Sequence, residues 1–356
     1  MDTSRLYTEL YSLLDEKGTS FIISQYNSDG SITRSLVCGA DQSPASFDWG
    51  AAAGAPDGSD TITTTGPLTT ITASDGSFTL IERFMAKPRL IILGGGHISV
   101  ALAELAALTD FDTVVYDDRP SFANTQRFPQ AKQVICDSFT KLGEHLSFGE
   151  SDFVVDVTRG HQYDKLCLEA VLRGREPAYT GMIGSLRRVA IVMEQLREEG
   201  YDLERLARIH APIGLKIGAQ TPSEIAVSII AQIIEAKRLA PALSSTQDNA
   251  PDRWLSCDLD LVEQVAKAGF EPEAVVTVLS TTGSVPTEVG CKLGMTYEGS
   301  IAGSVGGGCS EAEAMRIGRE VINNGGWRLH EIDLTDSAED EGMVCGGTMQ
   351  VLIEKA

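Results

Sequence analysis

The 356-residue sequence has no Cys-x-x-Cys pair, no apolar run approaching a membrane span, and few basic residues for its size. Each absence excludes something. Twenty-nine Lys and Arg stand against 50 Asp and Glu, a net charge of -21, which argues against nucleic acid or an anionic membrane surface as the main partner. Any bound phosphate then needs backbone amides for much of its binding. The seven cysteines, at 38, 136, 167, 257, 291, 309 and 345, are odd in number and lack metal-ligand spacing, as expected of a reducing compartment. Met1 to Arg5 carry no apolar stretch of the signal-peptide kind, so a soluble, cytoplasmic protein is expected. The length suggests two or three domains.

Residues 1–86 read as a β-rich segment. A short amphipathic helix over Leu6 to Asp15 precedes two alternating runs, Phe21 to Ile23 and Ser31 to Val37, with the turn signal Asn27-Ser28-Asp29-Gly30 between them. Ala40 to about Thr70 shows no clear period and is expected to be loop with weak strands, and Gly76 to Phe84 alternates again.

From Arg89 a different pattern begins. Leu90-Ile91-Ile92-Leu93 is a continuous apolar run, as in a strand covered on both faces. Gly94-Gly95-Gly96-His97 follows, then helical spacing through Ile98, Leu102, Leu105 and Leu108, then a second strand ending in Asp117-Asp118. Strand, glycine turn, helix, strand and acid form the dinucleotide-binding arrangement, in which Gly94 and Gly96 approach a pyrophosphate and Asp117 a ribose. The third glycine of that motif is replaced by Ser99.

Further strands are expected at Gln133 to Asp137, Asp152 to Val157 and Ala178 to Gly184, with helices between the later ones, giving a doubly wound parallel sheet. Two of these strands end in polar clusters, Thr158-Arg159-Gly160-His161 and Gly184-Ser185-Leu186-Arg187-Arg188. Ligands bind at the carboxyl ends of such strands, which places His161, Ser185 and Arg187 around one crevice. A surface or capping role for His161, a solvated Arg187 and a loop-fixing His97 are equally readable. Thr221-Pro222-Ser223-Glu224 marks the start of a long helix to about Leu239.

Ala240 to Pro251 is a linker by composition, so the Rossmann-like domain is expected over 87–240, a linker over 241–252 and a smaller α+β domain over 253–356. The last should hold a helix over Leu255 to Ala268, a strand from Ala274, a loop from Ser280 to Gly290 with Thr282 and Ser284, and a hairpin about Glu298-Gly299. Next comes Gly306-Gly307-Gly308-Cys309-Ser310, with Glu313 at capping-box distance from Ser310, so a helix is expected to start at Ser310. A thiol just outside a helix N-terminus favours the thiolate, and Gly307 and Gly308 allow close backbone approach. A buried thiol beside a tight turn is the plain alternative. Cys345-Gly346-Gly347 forms a second Cys-Gly turn in the same domain. Cys309 and Cys345 suit a soft metal, a redox pair or persulfide sulfur; the other five cysteines are expected to be packing.

Taken in order, Gly94-Gly95-Gly96-His97, Thr158-x-Gly160-His161-x-x-Asp164, Gly181-x-x-Gly184-Ser185, Pro212-Ile213-Gly214-Leu215, Thr282-Gly283-Ser284-Val285-Pro286, Ser304-Val305-Gly306-Gly307-Gly308-Cys309 and Cys345-Gly346-Gly347-Thr348 resemble the XdhC/CoxI family. The match covers about residues 87 to 354. The resemblance implies a maturation factor for molybdenum hydroxylases of the xanthine dehydrogenase type. Such a protein binds molybdenum cofactor, as molybdopterin or its dinucleotide, while a cysteine desulfurase supplies the terminal sulfur, and delivers it to the hydroxylase apoprotein. A molybdopterin nucleotidyltransferase is a further implied partner, and a homodimer is left open. In the family the CoxI-like domain normally precedes the Rossmann-like one; here the cysteine-bearing domain follows it. Two other readings stand beside this one. An NAD(P)-dependent oxidoreductase would use Asp117 for the ribose and His161 as acid or base, and a dinucleotide-sensing module would have no turnover.

Overall fold

The computed structural model describes residues 2–38, 61–73, 77–239, 255–334 and 346–356. The chain divides into two compact units, one made of Met1–Ala86 with Asp252–Ala356, the other of Lys87–Pro251.

The continuous unit holds a five-stranded parallel sheet of β6 (Arg89–Leu93), β7 (Asp112–Asp117), β8 (Gln133–Cys136), β9 (Asp152–Asp156) and β10 (Tyr179–Met182) in the order β10-β9-β6-β7-β8. Counted from its first strand this is the Rossmann order, whose topological switch point falls between β6 and β9. Leu90 to Leu93 are all fully buried, as their unbroken apolar run requires. Helix α2 (His97–Leu108) links β6 to β7, and α4 (His161–Arg173) links β9 to β10. Right-handed crossovers that step in opposite directions put these helices on opposite faces of the sheet. On one face Ile91, Leu93, Val114, Tyr116 and Val154 share a core with Cys167 and Val171 of α4. Helix α2 packs instead against α7 (Pro222–Leu239). The start of α7 is capped as its sequence demands: the Glu224 N–H donates to Thr221 Oγ1, and Glu224 Oε2 accepts from the Thr221 N–H. Helix α5 (Leu186–Glu198) follows β10, and two short helices, α3 (Leu142–His145) and α6 (Leu203–Ala207), lie before β9 and after α5.

The other unit is split in sequence. Helix α1 (Thr3–Lys17) precedes an antiparallel sheet of β1 (Thr19–Tyr26), β2 (Ile32–Cys38), β3 (Thr61–Thr65), β4 (Leu68–Thr72) and β5 (Phe78–Met85) in the order β2-β1-β5-β4-β3. The Asn27–Gly30 turn closes the first hairpin, with the Gly30 N–H donating to Asn27 O. The C-terminal part supplies α8 (Asp260–Ala268), α9 (Gly308–Asn324) and a second antiparallel sheet of β11 (Ala274–Gly283), β12 (Lys292–Met295), β13 (Ile301–Gly303), β14 (Trp327–Asp333) and β15 (Gly347–Lys355), ordered β13-β12-β11-β15-β14. Helix α8 begins five residues later than its sequence suggests, at Asp260 rather than Leu255, where the Asp258 carboxylate accepts from the Asp260 N–H.

The two sheets share one core. Leu6, Leu10, Tyr26, Phe78 and Phe84 lie with Cys257, Leu261, Val262, Val275 and Leu352. Polar groups join the same parts: Glu354 Oε2 accepts from Tyr26 Oη at 2.8 Å and from Arg34 Nη2 at 2.7 Å. Met1–Ala86 therefore belong to the unit that carries Gly306–Cys309 and Gly346-Gly347. On the other face of the second sheet, Val276, Val278, Val351 and Ile353 pack under Ala314, Ile317 and Val321 of α9.

Among the described cysteines, Cys167 and Cys257 are buried and Cys291 is half-buried, as packing residues should be. Cys136 corrects that expectation. It is exposed on β8, an edge strand, where only one neighbour can cover it.

Candidate functional site

In the split unit three glycine turns converge. Strands β11 and β15 pair through Thr282↔Thr348 and Gly283↔Gly347, which brings the Thr282–Ser284 loop against Gly346-Gly347. The approach leaves no room for side chains. A Cβ on Gly347 would lie 2.5 Å from Thr282 O and 2.9 Å from Ser284 O, and one on Gly283 would lie 2.6 Å from Gly346 O. The same loop continues to Pro286, whose ring would be 2.9 Å from a Cβ on Gly306. Thr282 and Ser284 are exposed at this junction, while Gly347 is buried. Cys345 lies outside the described residues.

Gly306, Gly307 and Gly308 all have positive φ, at 109°, 71° and 58°, a run that only glycine adopts without strain. The expected capping box does not form. Helix α9 starts at Gly308, so Cys309 is its second residue, half-buried against the α9 core. Ser310 turns its hydroxyl back to Gly307 O at 2.7 Å. Glu313 points to the other side, taking two hydrogen bonds from Arg316 and lying 3.0 Å from His330. The cap comes from Glu311, whose Oε1 accepts from the Gly307 N–H at 3.1 Å and from Ser304 Oγ at 2.6 Å. The backbone turns left-handed through the glycines, and that brings the carboxylate four residues on, rather than three, to the end of the helix.

In the continuous unit the glycine turn closes the carboxyl end of β6. The Gly94 N–H donates to Tyr116 O at 2.7 Å, and a Cβ on Gly94 would lie 2.7 Å from Val157 O. Only glycine fits there, with φ at 112°. Ser99 takes the place of the third glycine by donating its buried hydroxyl to Gly94 O at 2.6 Å, so the substitution ties the turn to α2 instead of loosening it. Gly96 caps α2 and His97 is exposed at its first position.

Asp117 is almost fully buried. Its Oδ2 accepts from the Gly95 N–H at 2.7 Å and from Arg119 Nη2 at 2.9 Å, and its Oδ1 from the Arg119 N–H and Nε. Burial alone would raise this carboxyl; the hydrogen bonds from Arg119 and Gly95 outweigh it and hold Asp117 below the ordinary range. The expected ribose acceptor thus spends its lone pairs on building the turn.

His161 and Ser185 are both exposed, at the starts of α4 and α5, which follow the neighbouring strands β9 and β10. Ser185 caps α5 by accepting from the Arg188 N–H at 3.3 Å. Arg187 is exposed, whereas its neighbour Arg188 turns inward. Arg188 grips fully buried Asp164 through Nε and Nη2, each at 2.6 Å, and Thr158 Oγ1 also donates to Asp164. Beside them, burial and then the Asp164 charge push the Asp156 carboxyl well above its usual range. Among the described residues, no group of three or more His, Cys, Asp or Glu side chains is placed to hold a metal ion.

Two family models match the chain, the XdhC Rossmann domain over residues 90–233 and the XdhC and CoxI family over residues 267–333. The first includes Gly94–Gly96 and the second Thr282–Pro286 and Gly306–Gly308, in the order read from the motifs. The chain belongs to the XdhC/CoxI family. Within it, the chain is 37% identical to YqeB of Escherichia coli K12 over 156 residues, 44% of this chain and 28% of that protein. It is 34% identical over 158 residues to a Bacillus subtilis 168 protein named as a probable xanthine dehydrogenase subunit, 44% of this chain and 46% of that one. It is 27% identical to the molybdenum cofactor insertion chaperone PaoD of Escherichia coli K12 over 149 residues, 42% and 40% of the two chains. The chain therefore spans less than half the length of each of these curated relatives.

Four contributors at the XdhC/CoxI turns were not evident from the motifs: Glu311, Arg119, Arg188 as the partner of Asp164, and the bidentate pair of Arg159 Nη1 and Nη2 with Asp118 at 2.6 and 2.7 Å. A Glu four residues after the middle glycine was the available signal for the first. Arg119 lies two residues after Asp117, within local reach, but the Arg188–Asp164 and Arg159–Asp118 pairs join residues 24 and 41 positions apart, which no local pattern announces.

Proposed function

We propose that this protein binds molybdenum cofactor and acts as a maturation factor for a molybdenum hydroxylase. The observation that carries the reading is the convergence of Thr282–Pro286, Gly306–Cys309 and Gly346-Gly347 at the start of α9. Close-packed glycines leave backbone exposed around one half-buried thiol, and the positive end of a 17-residue helix faces whatever anion settles there. Molybdenum is thiophilic and the cofactor carries phosphate, so Cys309 suits the metal end. In this reading Cys345 is the second sulfur contact, Thr282 and Ser284 supply hydroxyls, and the protein shields the cofactor while a cysteine desulfurase provides its terminal sulfur. The Rossmann-like crevice, with Gly94, Gly96 and His97 on one side and His161, Ser185 and Arg187 on the other, takes a nucleotide. PaoD, a relative named as a molybdenum cofactor insertion chaperone, supports this function. The hydroxylase apoprotein is the recipient, and a molybdopterin nucleotidyltransferase the source of a dinucleotide form. The oxidoreductase reading fares less well, because Asp117, its ribose acceptor, is engaged by Gly95 and Arg119.

The test is to purify the full chain from molybdopterin-replete cells and assay bound molybdenum and pterin, beside Cys309→Ala and Cys345→Ala. Wild type should retain both ligands and each variant should lose about tenfold or more. A wild-type protein without molybdenum or pterin, carrying NAD(P) instead, would sink the proposal.

A further inference from the structure

Strand β6 lies between β7 and β9, and Leu93, its last residue, is level with Tyr116 on one side and Asp156 on the other. Asp118 comes two residues after Tyr116, and Arg159 three after Asp156. The two side chains nevertheless meet, Arg159 Nη1 and Nη2 donating to Asp118 Oδ1 and Oδ2 at 2.6 and 2.7 Å. To do so they bridge two interstrand spacings, about 10 Å, beyond the carboxyl end of β6. That is the switch point, where the chain turns through Gly94–Gly96 into α2. The pair stands across the place where an open parallel sheet takes its ligand.

Two further contacts hold the arginine without the aspartate. Its Nη2 donates to Tyr163 Oη at 2.8 Å, and its guanidinium carbon sits 4.1 Å from the centre of the Tyr163 ring. Tyr163 lies in the first turn of α4, one helical turn from Arg159. If the Asp118 contact opens, Tyr163 keeps the guanidinium at the crevice. The pair itself is weakly anchored in energetic terms, since the side chains are 34% and 23% exposed and exposed ion pairs contribute little net stability. A guanidinium fork that fits a carboxylate bidentately fits a phosphate equally well. Asp117 offers no competing acceptor, because its oxygens are bound to Gly95 and Arg119.

We propose that Arg159 is a phosphate-binding residue of the Rossmann-like crevice, and that Asp118 is the carboxylate a nucleoside diphosphate displaces from it. The inference rests on the nucleotide reading of that crevice. Asp118 holds the fork in place while the crevice is empty, and the diphosphate takes over both N–H donors while its remaining charge meets the α2 N-terminus. The fork thus keeps a bidentate partner in both states, Asp118 or the diphosphate.

The test is calorimetric titration of the full chain with inorganic pyrophosphate, ADP, CDP and GDP, comparing wild type with Asp118→Asn, Arg159→Gln and Arg159→Lys. Asp118→Asn should bind pyrophosphate about three- to tenfold more tightly, and Arg159→Gln about tenfold or more weakly, with Arg159→Lys between it and wild type. A merely structural ion pair would make Asp118→Asn and Arg159→Gln shift in the same direction. Equal or weaker binding by Asp118→Asn, with wild type binding normally, overturns the exchange and leaves the nucleotide reading standing. No binding of any probe by wild type or variants overturns both.

Discussion

Lys292 of β12 and Glu82 of β5 lie 2.5 Å apart with both side chains buried, tying the start of the chain to its end. Lys292 Nζ also donates to Thr277 Oγ1 at 2.7 Å. Burial by itself would lower this lysine; the Glu82 carboxylate overrides that and raises it well above the ordinary range. Replacing Glu82 with Gln strands a charge in the core shared by the two sheets, at a cost of about 3–5 kcal/mol. Urea denaturation of Glu82→Gln should show that loss. The double variant Glu82→Leu with Lys292→Met should recover most of it, because an apolar pair of similar volume is often as stable as a buried ion pair. A single variant as stable as wild type would mean that the pair does not hold these parts together.

Gly347 and Gly307 are constrained for different reasons, and alanine substitutions separate them. At Gly307 an added Cβ meets nothing within 4 Å, but φ is 71°, so the cost is backbone strain of about 1–2 kcal/mol. At Gly347 the new methyl is driven onto the Thr282 and Ser284 carbonyls, and β15 has to move off β11. Thermal unfolding should show Gly347→Ala to be the more damaging. An equal loss in the two would contradict so close an approach of these strands.

Glu313 gives a pH dependence of known sign. The hydrogen bonds from Arg316, opposed by burial and aided by His330, bring its carboxyl from 4.5 down to about 2. A depressed carboxyl stabilises the fold above its unfolded value and ceases to do so as pH falls through its folded value. The unfolding temperature of wild type should exceed that of Glu313→Gln at about pH 6, and the gap should close between about pH 4.5 and pH 2. With a third of the side chain exposed, the contribution is about 1 kcal/mol or less. A gap that widens on acidification would show the sign to be wrong.

Much of the parallel unit was legible in the sequence. The unbroken run Leu90–Leu93, the glycines after it and the helix beyond are local signals, and helices between the later strands announce a doubly wound parallel sheet, whereas the order β10-β9-β6-β7-β8 comes from the structure. Capping was legible at Thr221 and Glu224 and misleading at Ser310 and Glu313. At the first, ordinary backbone leads into the helix; at the second, three positive-φ glycines shift its start and put Glu311 where Glu313 was expected.

What the sequence determined by itself was the existence of each glycine turn and the family that the ordered motifs identify, because turn chemistry and hydrophobic period are properties of neighbouring residues. Only the tertiary structure decided which faces meet. Alternation in β1 and β5 shows that one side must be buried, and nothing local says that it is buried with Leu261, Val275 and Leu352 from the far end of the chain. The same holds at the two candidate sites. Gly283 meets Gly347, and Arg159 meets Asp118, because paired strands bring distant residues level, and that register is settled by packing over the whole sheet.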